Sequence, residues 1–169
     1  EKFVEEFHNS NRINGKILRL SNIFGKPDIQ NINCWDLYVN NICKQIYTNR
    51  NIKVFSNPNI YRNFLSITDF NDILNQIINK KIVLKKNIIL NVGNTKSIQL
   101  GKMAELVAER YYDFKKNKVK IIYECSNSNE NFESLDFSIN KLKKLGIQVK
   151  NSLNDELIAL FNYCDYNFK

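Results

Sequence analysis

Residues 16–27 read KILRLSNIFGKP, a short apolar strand that runs directly into a loop. The loop is marked by Gly25 and Pro27, which end regular structure. In open α/β sheets, ligands bind beyond the carboxyl ends of the strands. Asn22 ends this predicted strand, so its amide is either placed for a ligand or turns the chain. Taken alone, the turn is the preferred interpretation.

Helical periodicity alternates with short apolar strands on both sides of this stretch. Predicted strands cover 16–20, 53–55, 63–67, 88–92 and 119–123. Predicted helices cover 1–10 and 35–47, and three more begin with caps at Asp69, at Ser97 and at Asp136 or Ser138. Gly146 is expected just after the third of these, and a capping box Ser152–Asp155 opens the last helix, 153–163. Residues 126–131, SNSNEN, are predicted as a mobile polar loop. The alternation is typical of an α/β protein, with too few strands for a complete nucleotide-binding sheet.

Composition excludes several classes of protein. The chain has 169 residues, 43% of them hydrophobic, with 5 Gly and 2 Pro, which excludes a disordered or collagen-like chain. Apolar runs are strand-sized, so no membrane span is expected. The net charge of +8 comes mostly from scattered lysines without an aromatic platform. Solvated surface is therefore preferred over a nucleic-acid site. The four cysteines form no Cys-x-x-Cys pair, which favours reduced thiols in a cytoplasmic protein, and the single histidine argues against a metal site.

The sequence holds no self-contained active site. No dinucleotide-binding, P-loop or nucleophile-elbow motif occurs. Asp69 and Asp72 are interpreted as helix-start residues. Arg62 precedes an apolar strand, where an arginine either pairs with a carboxylate or offers its planar fork to a phosphate, and the residues alone do not decide between the two.

Four segments that follow one another along the chain form a recognisable set. They are Arg19–Pro27 (RLSNIFGKP), Arg62–Asp69 (RNFLSITD), Leu90–Asn94 (LNVGN) with Ser97, and Asp136–Gly146 (DFSINKLKKLG) followed by Ser152 and Leu153. In order and at fitting spacing they resemble the motifs of the extended short-chain dehydrogenase/reductase family, and the resemblance spans the whole chain. Ile147 stands where that family usually has Trp, after its Asp-x-Ser and Leu-Gly residues.

The resemblance implies the C-terminal half of an NAD-dependent nucleotide-sugar epimerase or dehydratase, an oxidoreductase, isomerase or lyase of carbohydrate biosynthesis. The implied fold is the C-terminal part of a Rossmann-type NAD-binding fold plus a small α/β substrate-binding domain. Residues 1–34 would end the Rossmann domain. Residues 35–169 would mainly form the substrate domain, with 63–92 partly returning to the Rossmann sheet. The catalytic Tyr-x-x-x-Lys pair and the NAD loop are expected upstream of Glu1, so no catalytic residue is assigned within this chain.

The family also implies binding roles for individual residues. Asn22 would hydrogen-bond the substrate's diphosphate or sugar, Arg62 would bind the diphosphate, and residues 1–10 would join a homodimer interface. The loop 126–133 contains glutamates and no arginine, which leaves the family's second phosphate contact open, together with a dehydrogenase or reductase activity. Leu20 and Ile23 would lie against the nicotinamide of NAD or NADP. The nucleobase and ribose would be lined by Leu37, Tyr38, Val54 and Phe55. Asn91 would help to hold the nucleoside or phosphate.

Two other functions compete with this expectation. The first is a non-catalytic module of the same fold that binds or senses a nucleotide sugar. The second is nucleic-acid binding driven by the positive charge, which would require affinity that falls steeply with salt. Neither a nucleic-acid partner nor a membrane is expected.

Overall fold

The computed structural model describes residues 1–29, 32–79, 88–125 and 133–168. Helices and strands alternate through these ranges, and the predicted α/β class is confirmed. The predicted loop 126–131 lies outside the described residues. The helices are α1 (Lys2–Asn9), α2 (Tyr38–Asn49), α3 (Ile67–Asn79), α4 (Leu100–Lys115), α5 (Asn140–Lys144) and α6 (Leu153–Asn167). The strands are β1 (Ile17–Leu20), β2 (Asn22–Phe24), β3 (Asn51–Val54), β4 (Tyr61–Ser66), β5 (Ile89–Val92), β6 (Ser97–Gln99) and β7 (Lys120–Tyr123).

Three small sheets are described. β1 pairs with β5 and β3 pairs with β7, both in parallel. In the third sheet β4 lies in the middle, parallel to β2 and antiparallel to β6. Parallel pairing between strands distant in sequence requires crossover connections, which α2, α3 and α4 provide.

Asn22 does not end the first strand, which corrects the sequence interpretation. β1 stops at Leu20, close to the predicted end. Ser21 breaks the strand, and its N–H donates to the carbonyl of Val92 at 2.9 Å. After this residue the chain leaves β5 and pairs with β4, so Asn22 begins β2. Three-residue strands such as β2 and β6 are too short to show an alternating pattern, and the sequence did not predict either of them.

Two hydrophobic clusters form the core. One surrounds β1 and β5 and includes residues of α3 and α5, among them Ile73, Leu90 and Leu142. The other lies between α2, α4 and α6 and includes Ile42, Met103 and Phe161. The loop after β2 and the start of α3 are both tied to α6 by the buried carboxylate of Glu156.

The predicted caps of three helices are wrong. The N-cap of α5 is Ile139 and not Asp136 or Ser138, and the other two concern α3 and α4. Asp69 lies inside the first turn of α3, and its N–H donates to the hydroxyl of Ser66 at 3.0 Å, so Ser66 is the capping residue. Ser97 belongs to β6, and its hydroxyl donates to the carbonyl of Leu135 at 2.7 Å. Both errors arise because a strand runs directly into the helix, so the helix begins later or earlier than the polar residue suggests.

Ser152 precedes α6 as predicted, but its side chain forms no capping bond. Its hydroxyl donates instead to Asp69 Oδ1 at 2.7 Å, and its N–H donates to Asp69 Oδ2 at 2.9 Å. The buried carboxylate of Asp69 therefore joins the starts of α3 and α6. Ser152 therefore forms hydrogen bonds with the sequence-distant Asp69 in place of the predicted local capping box.

The predicted glycine end of α5 is confirmed. Gly146 has a φ of 69°, its N–H donates to the carbonyl of Lys143, and the N–H of Ile147 donates to the carbonyl of Leu142. These two bonds form a Schellman motif. We expect Gly146→Ala to lower the free energy of unfolding by about 1 kcal/mol, because an L side chain is disfavoured at this φ. Urea denaturation measures the loss, and an unchanged midpoint would contradict this assignment of backbone strain.

Candidate functional site

A cleft of about 310 Å³ opens where β2 and β4 meet α2 and the end of β3. Its volume is at the lower end of the range for small-molecule sites. The cleft brings together four residues predicted as ligand contacts: Asn22, Tyr38, Phe55 and Arg62. The full lining is Asn22, Asp36, Tyr38, Asn41, Ile42, Lys53, Phe55, Ser56, Ile60, Arg62, Phe64 and Leu100.

Asn22 reaches the cleft because β2 pairs with β4, where it lies opposite Phe64. Its Nδ2 donates to the carbonyl of Asn63 at 3.0 Å, which fixes the orientation of the amide. Within the described ranges no donor bonds its Oδ1. The exposed amide therefore presents an acceptor to the cleft.

Arg62 lies within β4 and not in the preceding turn, opposite Ile98 of β6. Its Nη1 donates to the carbonyl of Tyr61 at 2.9 Å. In the part of the chain that the structure describes, no carboxylate lies within ion-pairing distance of this exposed guanidinium. The carboxylate alternative left open by the sequence thus has no support among the described residues, and Arg62 lines the cleft with its other donors unpaired there.

Tyr38 forms part of the apolar wall. Its ring stacks on Phe64 with centroids 5.9 Å apart, and its hydroxyl donates to the carbonyl of Leu100 at 2.8 Å. Burial raises the pKa of Tyr38 above its ordinary value, so the phenol stays neutral at physiological pH. Tyr38 is therefore held in place by its ring contact and its hydroxyl bond, with its phenol protonated.

Lys53 of β3 and Phe55, the residue just after this strand, line the cleft, whereas Ile52 and Val54 are buried in the core. Phe55 is 64% exposed, which leaves an aromatic face open to a ligand. Lys53 Nζ pairs with Glu124 Oε1 at 2.8 Å. Sequence analysis did not single out Lys53, although strict alternation along β3 places it on the same face as Phe55.

Two residues predicted for the nucleobase pocket do not line the cleft. Val54 is only 1% exposed and packs in the core, because the alternation along β3 turns it inward. Leu37 precedes α2 and is exposed outside the lining. Their neighbours Tyr38 and Phe55 do line the cleft, so the prediction identified the segments more accurately than the individual residues.

The other predicted contacts lie elsewhere. Leu20, opposite Val92, is 46% exposed at the carboxyl end of β1, and Ile23 lies half-buried in β2 beside Asn22. Asn91 lines a second cleft and donates to the carbonyl of Ser138 at 3.1 Å. That second cleft is lined by Arg19, Ile89, Asn91, Ser138, Asn140, Lys141 and Lys144.

The lining of the first cleft is mixed in character. Among the described residues it combines two cations, the carboxylate of Asp36, amides, a neutral phenol and exposed aromatic surface. His8 lies outside it and accepts a bond from the Gly15 N–H. No three His, Cys, Asp or Glu side chains in the described ranges are grouped so that they could hold a metal ion. None of the helices in those ranges has both the length and the apolar character needed to cross a bilayer.

No protein-family model matches the sequence, and no curated protein matches it significantly. Solved structures do match. RMD from Pseudomonas aeruginosa, complexed with NADPH, is 12% identical with a TM-score of 0.72, over 98% of this chain and 53% of that one. UDP-glucuronic acid 4-epimerase from Bacillus cereus, in complex with UDP-glucuronic acid and NAD, is 18% identical with a TM-score of 0.69, over 98% and 49%.

A third match is TunA, an NAD-dependent NDP-hexosamine 5,6-dehydratase involved in tunicamycin biosynthesis. It is 15% identical with a TM-score of 0.66, over 96% of this chain and 51% of that one. The chain thus spans about half the length of the structures it matches. At these identities the likeness concerns the fold, and it confirms the fold predicted from the four motifs. The chain therefore has the α/β fold that these NAD- and NADPH-binding structures show over about half of their own length.

Proposed function

We propose that this chain is the substrate-binding half of an NAD- or NADP-dependent enzyme that epimerises or dehydrates a nucleotide sugar. The observation that carries the proposal is the meeting of Asn22 and Arg62, two motif residues distant in sequence, with exposed Phe55 in one cleft. A cationic hydrogen-bond donor beside an aromatic face suits a diphosphate attached to a nucleobase.

In this proposal Arg62 binds the diphosphate through its guanidinium, which has no carboxylate partner among the described residues. Asn22 accepts a hydrogen bond from the sugar or ribose through Oδ1. Phe55 and Tyr38 cover the faces of the nucleobase. Leu37 and Val54 adjoin these two residues in sequence without lining the cleft, and Asn91 would contact a ligand that extends to the second cleft.

Leu20 and Ile23 would contact the nicotinamide, since Leu20 leaves apolar surface exposed at the carboxyl end of a parallel strand. When bound, the cofactor accepts the hydride from a sugar carbon. The base, a Tyr-x-x-x-Lys pair, and most cofactor contacts would belong to a part of the protein preceding Glu1. The residues described here bind and orient the sugar.

The proposal includes an organisation for the whole protein. Residues 1–34 would complete a Rossmann domain, and 35–169 would mainly form the substrate domain. Within the latter range, 63–92 would partly return to the Rossmann sheet. The two hydrophobic clusters support this division and add α5 to the Rossmann side. The protein would be a cytoplasmic homodimer, with α1 in the interface, where Phe3 leaves 80% of its surface exposed.

Calorimetric titration of the intact protein with NAD and a panel of nucleotide sugars tests the proposal. We expect Arg62→Ala to raise the Kd of the bound nucleotide sugar by about tenfold or more, because a charge-assisted hydrogen bond to phosphate is lost. Arg12→Ala removes an exposed arginine outside the cleft and is the matched control. Absence of heat with every nucleotide would refute the proposal, and binding without turnover would favour a non-catalytic nucleotide-sugar-binding module.

A further inference from the structure

We propose that Lys53 is a second phosphate-binding residue of the cleft and that Glu124 occupies it until the ligand arrives. The diphosphate would then bridge Lys53 and Arg62. The inference rests on the proposed function and deepens it, since it identifies how a ligand carrying two phosphates is distinguished from one carrying a single phosphate.

The backbone of β3 fixes where Lys53 can reach. Lys53 lies opposite Ile122 of β7, and its N–H donates to the Oε1 of Gln45 at 2.7 Å. Ile52 and Val54 on either side of it are almost fully buried, so the strand cannot rotate without exposing them. The lysine side chain is therefore held on the cleft face, where it lines the same cavity as Arg62.

The charges around the cleft are balanced before a ligand binds. Its titratable lining residues are Asp36, Tyr38, Lys53 and Arg62, and Tyr38 is neutral. Glu124, just after β7, neutralises Lys53 at 2.8 Å. A diphosphate diester carries a negative charge on each phosphate, so one arginine alone leaves half of that charge uncompensated. Lys53 is the other cation of the described lining.

Exchange of Glu124 for a phosphate is favourable because the existing ion pair is weak. The side chains of Lys53 and Glu124 are 40% and 38% exposed, and pairs in such surroundings contribute little to stability. A phosphate offers several acceptor oxygens and a second contact through Arg62, so it competes well for the ammonium group. Glu124 then turns to solvent, and the affinity of the site is set by this competition.

Titration of the intact protein with inorganic pyrophosphate, with excess NAD present to fill a cofactor site, tests the inference. We expect Lys53→Gln to raise the Kd about threefold or more and Glu124→Gln to lower it by a similar factor. The double variant should bind like Lys53→Gln alone, because Glu124 acts only through Lys53. Inorganic phosphate, which cannot bridge the two cations, should respond less to either change.

Lys115 and Asp165 form a partly buried ion pair at 3.1 Å outside the cleft lining, and Lys115→Gln and Asp165→Asn are the matched controls. A common effect of both pairs would indicate general electrostatics and overturn the inference. If Arg62→Ala weakens binding of nucleotide sugars while Lys53→Gln and Glu124→Gln leave pyrophosphate binding unchanged, the inference fails and the proposed function stands. If neither nucleotide sugars nor pyrophosphate bind, both fail.

Discussion

Glu156→Ala is expected to lower the free energy of unfolding by about 3 kcal/mol, the largest single effect that the structure predicts outside the apolar core. The carboxylate is 4% exposed and accepts bonds from the Lys26 N–H at 2.9 Å, the Thr68 hydroxyl at 2.6 Å and the Thr68 N–H at 3.3 Å. Truncation leaves these three partly buried donors without their acceptor and removes a carboxylate that is itself buried, so the loss exceeds that of a surface ion pair.

Urea denaturation of the intact protein measures this loss. Glu156→Gln keeps one acceptor oxygen and should lose clearly less stability than the alanine variant. Glu105→Ala, which removes an exposed carboxylate from the surface of α4, should change the free energy of unfolding by less than about 0.5 kcal/mol. Equal effects of Glu156→Ala and Glu105→Ala would show that the buried bonds do not hold the loop after β2.

Asp69→Ala is expected to cost about 2–3 kcal/mol by the same measurement. The carboxylate is 1% exposed and accepts bonds from the hydroxyl of Ser66 at 2.9 Å and from both the N–H and the hydroxyl of Ser152. Loss of this carboxylate removes the hydrogen bonds that join the start of α6 to the start of α3, and the Ser152 N–H is left without its acceptor.

Asp72 provides the matched control for this variant. It lies three residues further along α3 and pairs with Lys150 at the surface, where the two side chains are 33% and 69% exposed. Asp72→Ala should therefore cost less than about 0.5 kcal/mol. If Asp69→Ala cost no more than Asp72→Ala, the bonds to Ser152 would not contribute to stability.

Local patterns predicted much of the fold. The apolar periodicity of α2, α3 and α4 and the Gly146 end of α5 were recognisable because each depends on neighbours a few residues apart. The break at Ser21 and the short strands β2 and β6 were not, because they are decided by pairing with β4, which is distant in sequence. Asp69 and Ser152 were both interpreted as local caps, because the hydrogen bonds between them join residues that are distant in sequence.

The candidate site was predicted by segment more than by residue. Asn22 and Arg62 were identified because their surroundings resemble family motifs, and both line the cleft. Val54 faces the core, and Lys53 faces the cleft. Applying the two-residue alternation to residues 52–55 would have assigned Lys53 and Phe55 to one face and the buried pair to the other. The ion pair between Glu124 and Lys53 could not be predicted, because only the pairing of β3 with β7 brings the two residues together.

The alternation along residues 52–55 also separates positions that are constrained by the core from positions that face the cleft. Ile52 and Val54 are fixed by the core, whereas Lys53 and Phe55 contribute little to it. A change at either outward position should therefore leave the folded state almost unaffected. Under the proposed function, substitutions at these two nearby codons would change the accepted ligand without first requiring a stability margin to tolerate them.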